Sequence, residues 1–521
     1  MWRERLGTGG VALLLLAASV AVAVPFRREA LGRLAPSCVS WDAAHHALSG
    51  LDLFDDIRLL RPLDALGDVL SHHWWGPLFA LLSLPFHVLF GRTLAAAALP
   101  SFVAYLLVTP AAYLAARATL GRLEAFESLA LAALTGAFIL RAPMLLEMSA
   151  WIMLESVGGL LAVAAFGLFA ARDDPRARRA AFALGAALFL MKVHYGLFVL
   201  VTLGVATWLG EGRESRRSVA AAFRAAAAGR AAAALAGLAS LLVAGRLVLA
   251  ARGGDVLARW IPSVPNVAWG AFVLALFLVV ARRAPFGEAW RATPPALRDF
   301  ALWGLAPVGA WCLDPANVRG WFRQIFLPTS EPLRPLVQLA AYLSLLRRDY
   351  ALAAFPFCLV LTGLALAVIL PGSPARRTLA GFASWPVLLM SLNRFPAEAR
   401  FLGCLAPAVF AAAAAGLVAG AARLPRVAGR ALLVGVLAAL SATFAATGGK
   451  WRREADARAT YRYPYDDAGQ RAVAAALAAV PDTGPVRIVL PAEPLVWPTV
   501  RLGARLVRPD IPPVDVSVEQ R

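Results

Sequence analysis

The sequence predicts an all-α polytopic membrane protein with about 13 transmembrane helices. Three observations carry this prediction. First, 60% of its 521 residues are hydrophobic and only 16% are charged. Soluble domains are about 45–50% apolar and about 25% charged, so the surplus must face lipid. Second, apolar runs recur along almost the whole chain. Third, arginines collect between alternate runs, which is the positive-inside pattern of cytoplasmic loops.

The charge balance has the same origin. Lys and Arg total 51 against 32 Asp and Glu, a net +19. The arginines lie between membrane runs instead of forming a groove-sized patch, so nucleic-acid binding is not expected. The cysteines are Cys38, Cys312, Cys358 and Cys404, with no CxxC or metal spacing. They read as unpaired small apolar residues.

Taken in order, Met1–Val24 has a charged start (Arg3, Arg5) followed by an apolar run, as a signal peptide does. With many apolar runs behind it, it reads as an uncleaved first helix, roughly 9–25, running from inside to outside. Further spans are expected near 98–116, 127–141, 153–171, 180–191, 195–210, 231–251, 267–281, 300–316, 351–371, 379–392, 401–421 and 429–447. Arg117 and Arg122, the run Arg172–Arg179, Arg213–Arg224, Arg282-Arg283, Arg376-Arg377, and Arg423, Arg426 and Arg430 all fall on the cytoplasmic side of this count. The segment 76–91 is apolar but short, with Pro85 and His87 inside it. Parity predicts that it dips into the outer leaflet or lies at the interface, a full crossing being the alternative.

The count predicts two parts. Residues 1–449 form the transmembrane domain, whose first outer loop, 26–97, carries interfacial helices. Residues 450–521 form a small exported α/β segment, with a helix over Ala468–Val480 and a strand at Val486–Leu490. The protein is placed in the inner (plasma) membrane, with a cytoplasmic N-terminus and an extracytoplasmic C-terminus. The outer face collects residues 26–75, a turn from Glu147 to Glu155, Lys192–Tyr195, the stretch 317–350 and Asn393–Arg400.

Residues able to do chemistry sit on that face. Asp42, His45 and His46 fall within one helical turn, so Asp42 and one histidine share a side. Asp42 reads equally as a general base for a hydroxyl and as the cap or surface charge of a solvated interfacial helix. Glu147 and Glu155 read as a second acid or as polar helix-end residues. Lys192, beside His194 and Tyr195, breaks the positive-inside pattern, as do Arg394 and Arg400. An outward cation there can hold a phosphate, and guanidinium does so bidentately. Arg319 and Arg323 are weaker options of the same kind. Trp74 and Trp75 read as interfacial belt residues or as a platform for a sugar ring. His45-His46 and His72-His73, with Asp42, Asp55 and Asp56, offer a divalent metal a second-rank option, but no spacing matches zinc, and no cofactor is required.

At these residues the chain resembles the membrane glycosyltransferases of the GT-C fold, in particular the protein O-mannosyltransferase and aminoarabinose transferase group. The resemblance rests on the order of an apolar first helix, an acidic outer loop, His73-Trp-Trp-Gly-Pro77 before an apolar run, and an acid, Met153-Leu-Glu-Ser156, before the fourth span. Ala43 stands where that group has a second acid, and one proline of its His-Pro-Pro is absent. The resemblance implies transfer of a hexosyl or pentosyl group from a polyprenyl-phosphate carrier to a glycan, lipid or protein acceptor. Asp42 would be the base and Glu155 the second acid. Lys192 and Arg394 would hold the lipid phosphate, and His45, His73, Trp74, Glu147 and His194 would line the substrate. The other readings are a transporter or flippase for a polyprenyl-linked glycan, and an inactive scaffold of the same fold.

Overall fold

The computed structural model describes residues 2–33, 41–70, 76–227, 290–312, 317–318, 335–390, 398–451, 453, 486–490 and 516–520. The expected spans at 231–251 and 267–281 and the helix over 468–480 lie outside these residues. So do Cys38, His72, His73, Trp74, Trp75, Arg319, Arg323 and Arg394.

The described chain is almost wholly helical. Its first elements are α1 (Trp2–Arg33), α2 (Trp41–Arg58), α3 (Pro62–Leu70), α4 (Leu78–Phe90), α5 (Leu94–Ala97) and α6 (Leu99–Thr119). Then come α7 (Ala125–Leu140), α8 (Pro143–Ala150), α9 (Leu154–Ala170), α10 (Pro175–Phe189), α11 (Val193–Gly210) and α12 (Arg213–Ala227). The later helices are α13 (Pro295–Asp299), α14 (Ala306–Cys312), α15 (Pro335–Leu345), α16 (Ala354–Ile369), α17 (Pro374–Met390), α18 (Ala406–Ala421) and α19 (Arg426–Thr447). The strand read at Val486–Leu490 is present as β1, and its parallel partner β2 (Val516–Gln520) was not read from the sequence.

Among the described residues, Gly7–Glu29, Leu94–Thr119, Val193–Gly210 and Arg426–Thr447 are each long and apolar enough to cross a bilayer. Two further pairs pass the same test but are bent, α7 with α8 by 65° and Pro335–Ala351 with α16 by 115°. The 13 residues of α4 reach about 20 Å, short of a hydrocarbon core of about 30 Å.

The chain divides into two compact units. Unit 1 comprises Met1–Arg58, Leu78–Ala170 and Thr329–Arg521. In its middle, α6 packs along α9, and α18, walled by small residues, packs along α16. One end of this unit is bound together by arginine. Arg426 pairs with Glu124 at the start of α7, and Arg430 donates to the same carboxylate at 2.5 Å. The Arg426 hydrogen bond holds the Glu124 carboxyl below its ordinary value. Arg423 reaches the Pro371 carbonyl at 2.9 Å. The loops bearing Arg122, Arg376 and Arg423 therefore meet at one end, as the charge parity requires of them. At the far ends of the same two helices, Arg141, the C-cap of α7, lies over the rings of Phe444 in α19 and Trp451 just past it, 5.4 and 5.2 Å from their centroids.

Unit 2 comprises Leu59–Pro77 and Ala171–Pro328. Asp174 caps α10 by accepting from the Arg176 amide at 2.9 Å, with Pro175 in the first turn. Phe189, Val193, Leu200 and Trp311 form its described apolar core. At the start of α10, Arg178 and Arg179 both bind Asp299, with Nε to carboxylate distances of 3.0 and 2.9 Å.

Three expectations need correction. The segment Glu147–Glu155 is not a turn throughout: Pro143–Ala150 is helical with every residue of it buried, and only residues 151–153 link it to α9. Pro143 opens that helix, and the bend from α7 turns it back into the unit. The last part of the stretch 317–350 is not a loop either, because Pro335–Ala351 is an apolar helix. Finally, α2 is not solvated along its length. Ala43, Ala44, His46, Ala47, Leu51, Asp55 and Asp56 are all buried, and α2 packs on α4.

Candidate active site

The expected catalytic helix α2 opens at Trp41, so Asp42 stands in its first turn, one turn before His46. A carboxylate there is also favoured by the helix dipole, so position alone does not separate base from structural charge. Ala43 is fully buried. A second acid at that position would have to be desolvated, which gives alanine a physical reason. His46 faces Phe79 of α4 with ring centroids 5.6 Å apart, while His45 is only half-buried. Further along α2, Asp55 binds Arg92 at 2.8 Å. Among the described residues, no group of three His, Cys, Asp or Glu side chains is placed around a metal position.

One end of unit 1 collects the other acids. Ser101 at the head of α6 donates to the Met153 carbonyl at 2.7 Å and accepts from the Met153 amide at 3.2 Å. This pair of bonds pins the α8–α9 link against α6. Glu155 follows in the first turn of α9 and Glu147 lies in α8, with 2% and 1% of their surfaces exposed. Against them comes a 3₁₀ turn, Ala399–Leu402, ending at Gly403. A Cβ on Gly403 would stand 2.7 Å from the Glu155 Cβ and 2.8 Å from the Met148 sulfur. Only glycine lets this turn close on the acid.

The same turn is tied to a π-helical turn, Leu346–Ala351, through Tyr350, whose hydroxyl donates to the Ala399 carbonyl at 2.7 Å. That π turn also packs on α8. It ends at Leu352, a non-glycine residue in the left-handed region at φ 63°. Asp349 within it is buried, with Arg348 donating at 2.8 Å. Arg400 donates to Glu398 at 2.5 Å and lies over the Phe401 ring. Sequence reading missed Ser101, Asp349, Tyr350 and Gly403. The only available signal was the Arg-Arg-Asp-Tyr run at 347–350, which resembles an ordinary polar loop.

Unit 2 holds the Lys192 group. Lys192 is the N-cap of α11, with extended backbone at φ −146° and ψ 98°. Its carbonyl accepts from the Tyr195 and Gly196 amides, both at 3.1 Å. The side chain is buried, and Nζ lies 5.2 Å from the centre of the Tyr195 ring. The His194 ring lies tilted beside that of Tyr195, with centroids 4.3 Å apart. Gly76, of the His73–Pro77 motif, lies flat against this turn. A Cβ on it would fall 1.7 Å from the Leu190 carbonyl oxygen, inside the backbone itself. The motif glycine and the lysine turn, both expected on one face of the membrane, thus meet. The Arg178–Asp299 pairs stand at the other end of α10.

The chain's architecture is shared with known membrane transferases. It is similar to the archaeal oligosaccharyltransferase AglB from Archaeoglobus fulgidus, determined in complex with an inhibitory peptide and a dolichol-phosphate. The match has 12% identity and a TM-score of 0.54, over 100% of this chain and 65% of that one. The Archaeoglobus fulgidus oligosaccharyltransferase in the apo form matches equally, over 99% and 65%. ArnT from Cupriavidus metallidurans in the apo state aligns at 15% identity and a TM-score of 0.48, over 96% and 89%. No protein-family profile and no curated protein matches the chain. It spans 65% of the length of the oligosaccharyltransferase. The chain thus has the GT-C fold of the archaeal oligosaccharyltransferase.

Proposed function

We propose that the chain is a glycosyltransferase that moves a hexosyl or pentosyl group from a polyprenyl-phosphate carrier to an acceptor hydroxyl on the extracytoplasmic face. The observation that carries this reading is the gathering of Glu147 and Glu155, both buried, where α8, α9, the π turn and the 399–403 turn converge. Buried carboxylates at a span end are retained for chemistry or for pairing. The shared fold with an oligosaccharyltransferase determined with dolichol-phosphate supports the carrier class.

In this reading Asp42 takes the proton of the acceptor hydroxyl. The acceptor oxygen attacks the anomeric carbon, and the bond from that carbon to the phosphate oxygen breaks. The electron pair leaves with the polyprenyl phosphate, whose charge Lys192 and Arg394 balance. Glu155 orients the acceptor, with Glu147 behind it. His45, His73, Trp74 and His194 line the sugar and the headgroup. No nucleotide is needed on this face, because the lipid brings the activated sugar.

Mass spectrometry of lipid-linked sugars and envelope glycans in a strain lacking the gene tests the reading. The strain should accumulate a polyprenyl-phosphate sugar and lose one glycan modification. Unchanged carrier lipids together with unchanged envelope glycans would overturn it.

A further inference from the structure

At the arginine-bound end of unit 1, two guanidiniums converge on one carbonyl oxygen. Arg376, 5% exposed, donates to the Leu370 carbonyl at 2.7 Å and to the Pro371 carbonyl at 3.3 Å. Arg423 donates to the same Pro371 oxygen at 2.9 Å. Arg377, next in the chain, is exposed. The neighbouring arginines Arg426 and Arg430 are matched by Glu124. Among the described residues no carboxylate forms an ion pair with Arg376, Arg377 or Arg423. Carbonyls at the C-terminal end of α16 and at Pro371 hold two of them in place, and the helix end offsets only part of their charge.

Apolar side chains flank the group. Ile369 is 75% exposed and Val427 is 82% exposed, with Leu424 exposed between Arg423 and Val427. Exposed guanidiniums next in the chain to bare aliphatic side chains match one ligand chemistry, a phosphodiester carrying acyl chains. Guanidinium forks bind the phosphate oxygens, and the chains cover the aliphatic side. A soluble phosphate would use the cations and leave the apolar surface wet.

We infer that the exposed Arg377 and Arg423, with the buried Arg376 charge behind them, form a binding site for the headgroup of an anionic phospholipid, whose acyl chains lie along Ile369, Leu424 and Val427. This site is remote in sequence from the acids of the transfer reading and stands independently of it.

Native mass spectrometry of the full chain released from detergent tests the inference, with phosphatidylglycerol and phosphatidylcholine as probes. The wild-type chain should hold phosphatidylglycerol at least tenfold more strongly than phosphatidylcholine. The double variant R377Q/R423Q should lose that difference, and the milder Arg423→Gln alone should reduce it at least threefold. R213Q/R217Q removes the same charge from α12 and should keep the preference. Equal retention of the two lipids by the wild-type chain would overturn the site. So would equal loss in R213Q/R217Q, which would mean net charge alone draws the lipid. Full competition by millimolar inorganic phosphate would overturn the acyl-chain part and reduce the site to a phosphate cradle.

Discussion

Gly403 and Glu155 are in direct contact: a Cβ on the glycine would come within 2.7 Å of the Cβ of the acid. The turn that follows Arg400 therefore closes on the head of α9, and the buried carboxylate is shaped by a segment far away in the sequence. Replacing Gly403 by Ala must displace either the turn or Glu155. Such overpacking costs about 1–3 kcal/mol. The variant should melt a few degrees lower and lose transfer at least tenfold, read by a carrier-sugar assay on purified protein. Unchanged transfer with a lowered melting temperature would remove Glu155 from the reaction.

Asp42→Asn keeps the size of the side chain and removes its basicity. It should abolish transfer while expression and melting stay at the wild-type level. Asp42→Glu should retain a small fraction, since it keeps the base and misplaces it. Wild-type rates in Asp42→Asn would show that the first turn of α2 carries only a structural charge.

Lys192 is fixed at the head of α11, and its turn rests on Gly76. Lys192→Ala should raise the KM for the polyprenyl-phosphate donor at least tenfold, and Lys192→Arg should recover part of it. Gly76→Ala drives a methyl group into the Leu190 carbonyl, where no flexible side chain can yield. It should destabilise by about 3 kcal/mol or more and reduce the yield of monodisperse protein. Normal folding of Gly76→Ala would mean that the two segments separate in the membrane.

Asp299 supplies a pH signature. Burial pushes its carboxyl up, and the hydrogen bonds and charges of Arg178 and Arg179 outweigh this, leaving it below the ordinary carboxylate value. A depressed carboxylate stabilises the fold fully above its unfolded value, near pH 4. That contribution is lost as pH falls through the lower folded value. Asp299→Asn should cost about 1–3 kcal/mol at neutral pH and flatten the acid limb of a melting-temperature profile. An identical acid limb in the variant would assign the loss to other carboxyls.

The sidedness of the Lys192 turn is open to direct measurement. A topology reporter fused after His194 should give the extracytoplasmic signal, and one fused after Arg176 the cytoplasmic signal. Reversal of the two would invert the parity count and remove Lys192 from any reaction outside the cell.

Several elements could be read from residues alone because they depend on local pattern. The apolar periods of α6, α7, α9 and α11 placed those helices to within a few residues, and the alternating Val486–Leu490 run placed β1. Charge parity put Arg122, Arg376 and Arg423 on one side, and the contacts of Glu124 and Pro371 join those loops. Composition is enough for such features, since lipid exposure and charge placement act on each segment separately.

What hydropathy could not show were features created by one segment pressing on another. Pro143–Ala150 is short and mixed in polarity, so its burial, and that of Glu147, followed only when α7 bent back into the unit. Asp349 and Tyr350 sat in what read as a loop until the π turn packed on α8 and on Ala399. His73–Pro77 was legible as a motif, but the need for its glycine appeared only with the Leu190 backbone beside it. Sequence determined which stretches are apolar enough to enter a membrane and which charges stand at their ends, because each such choice is a transfer energy of a single stretch. Tertiary structure decided which acids are buried and what presses against them, because close packing joins residues hundreds of positions apart and leaves no periodic trace in either partner.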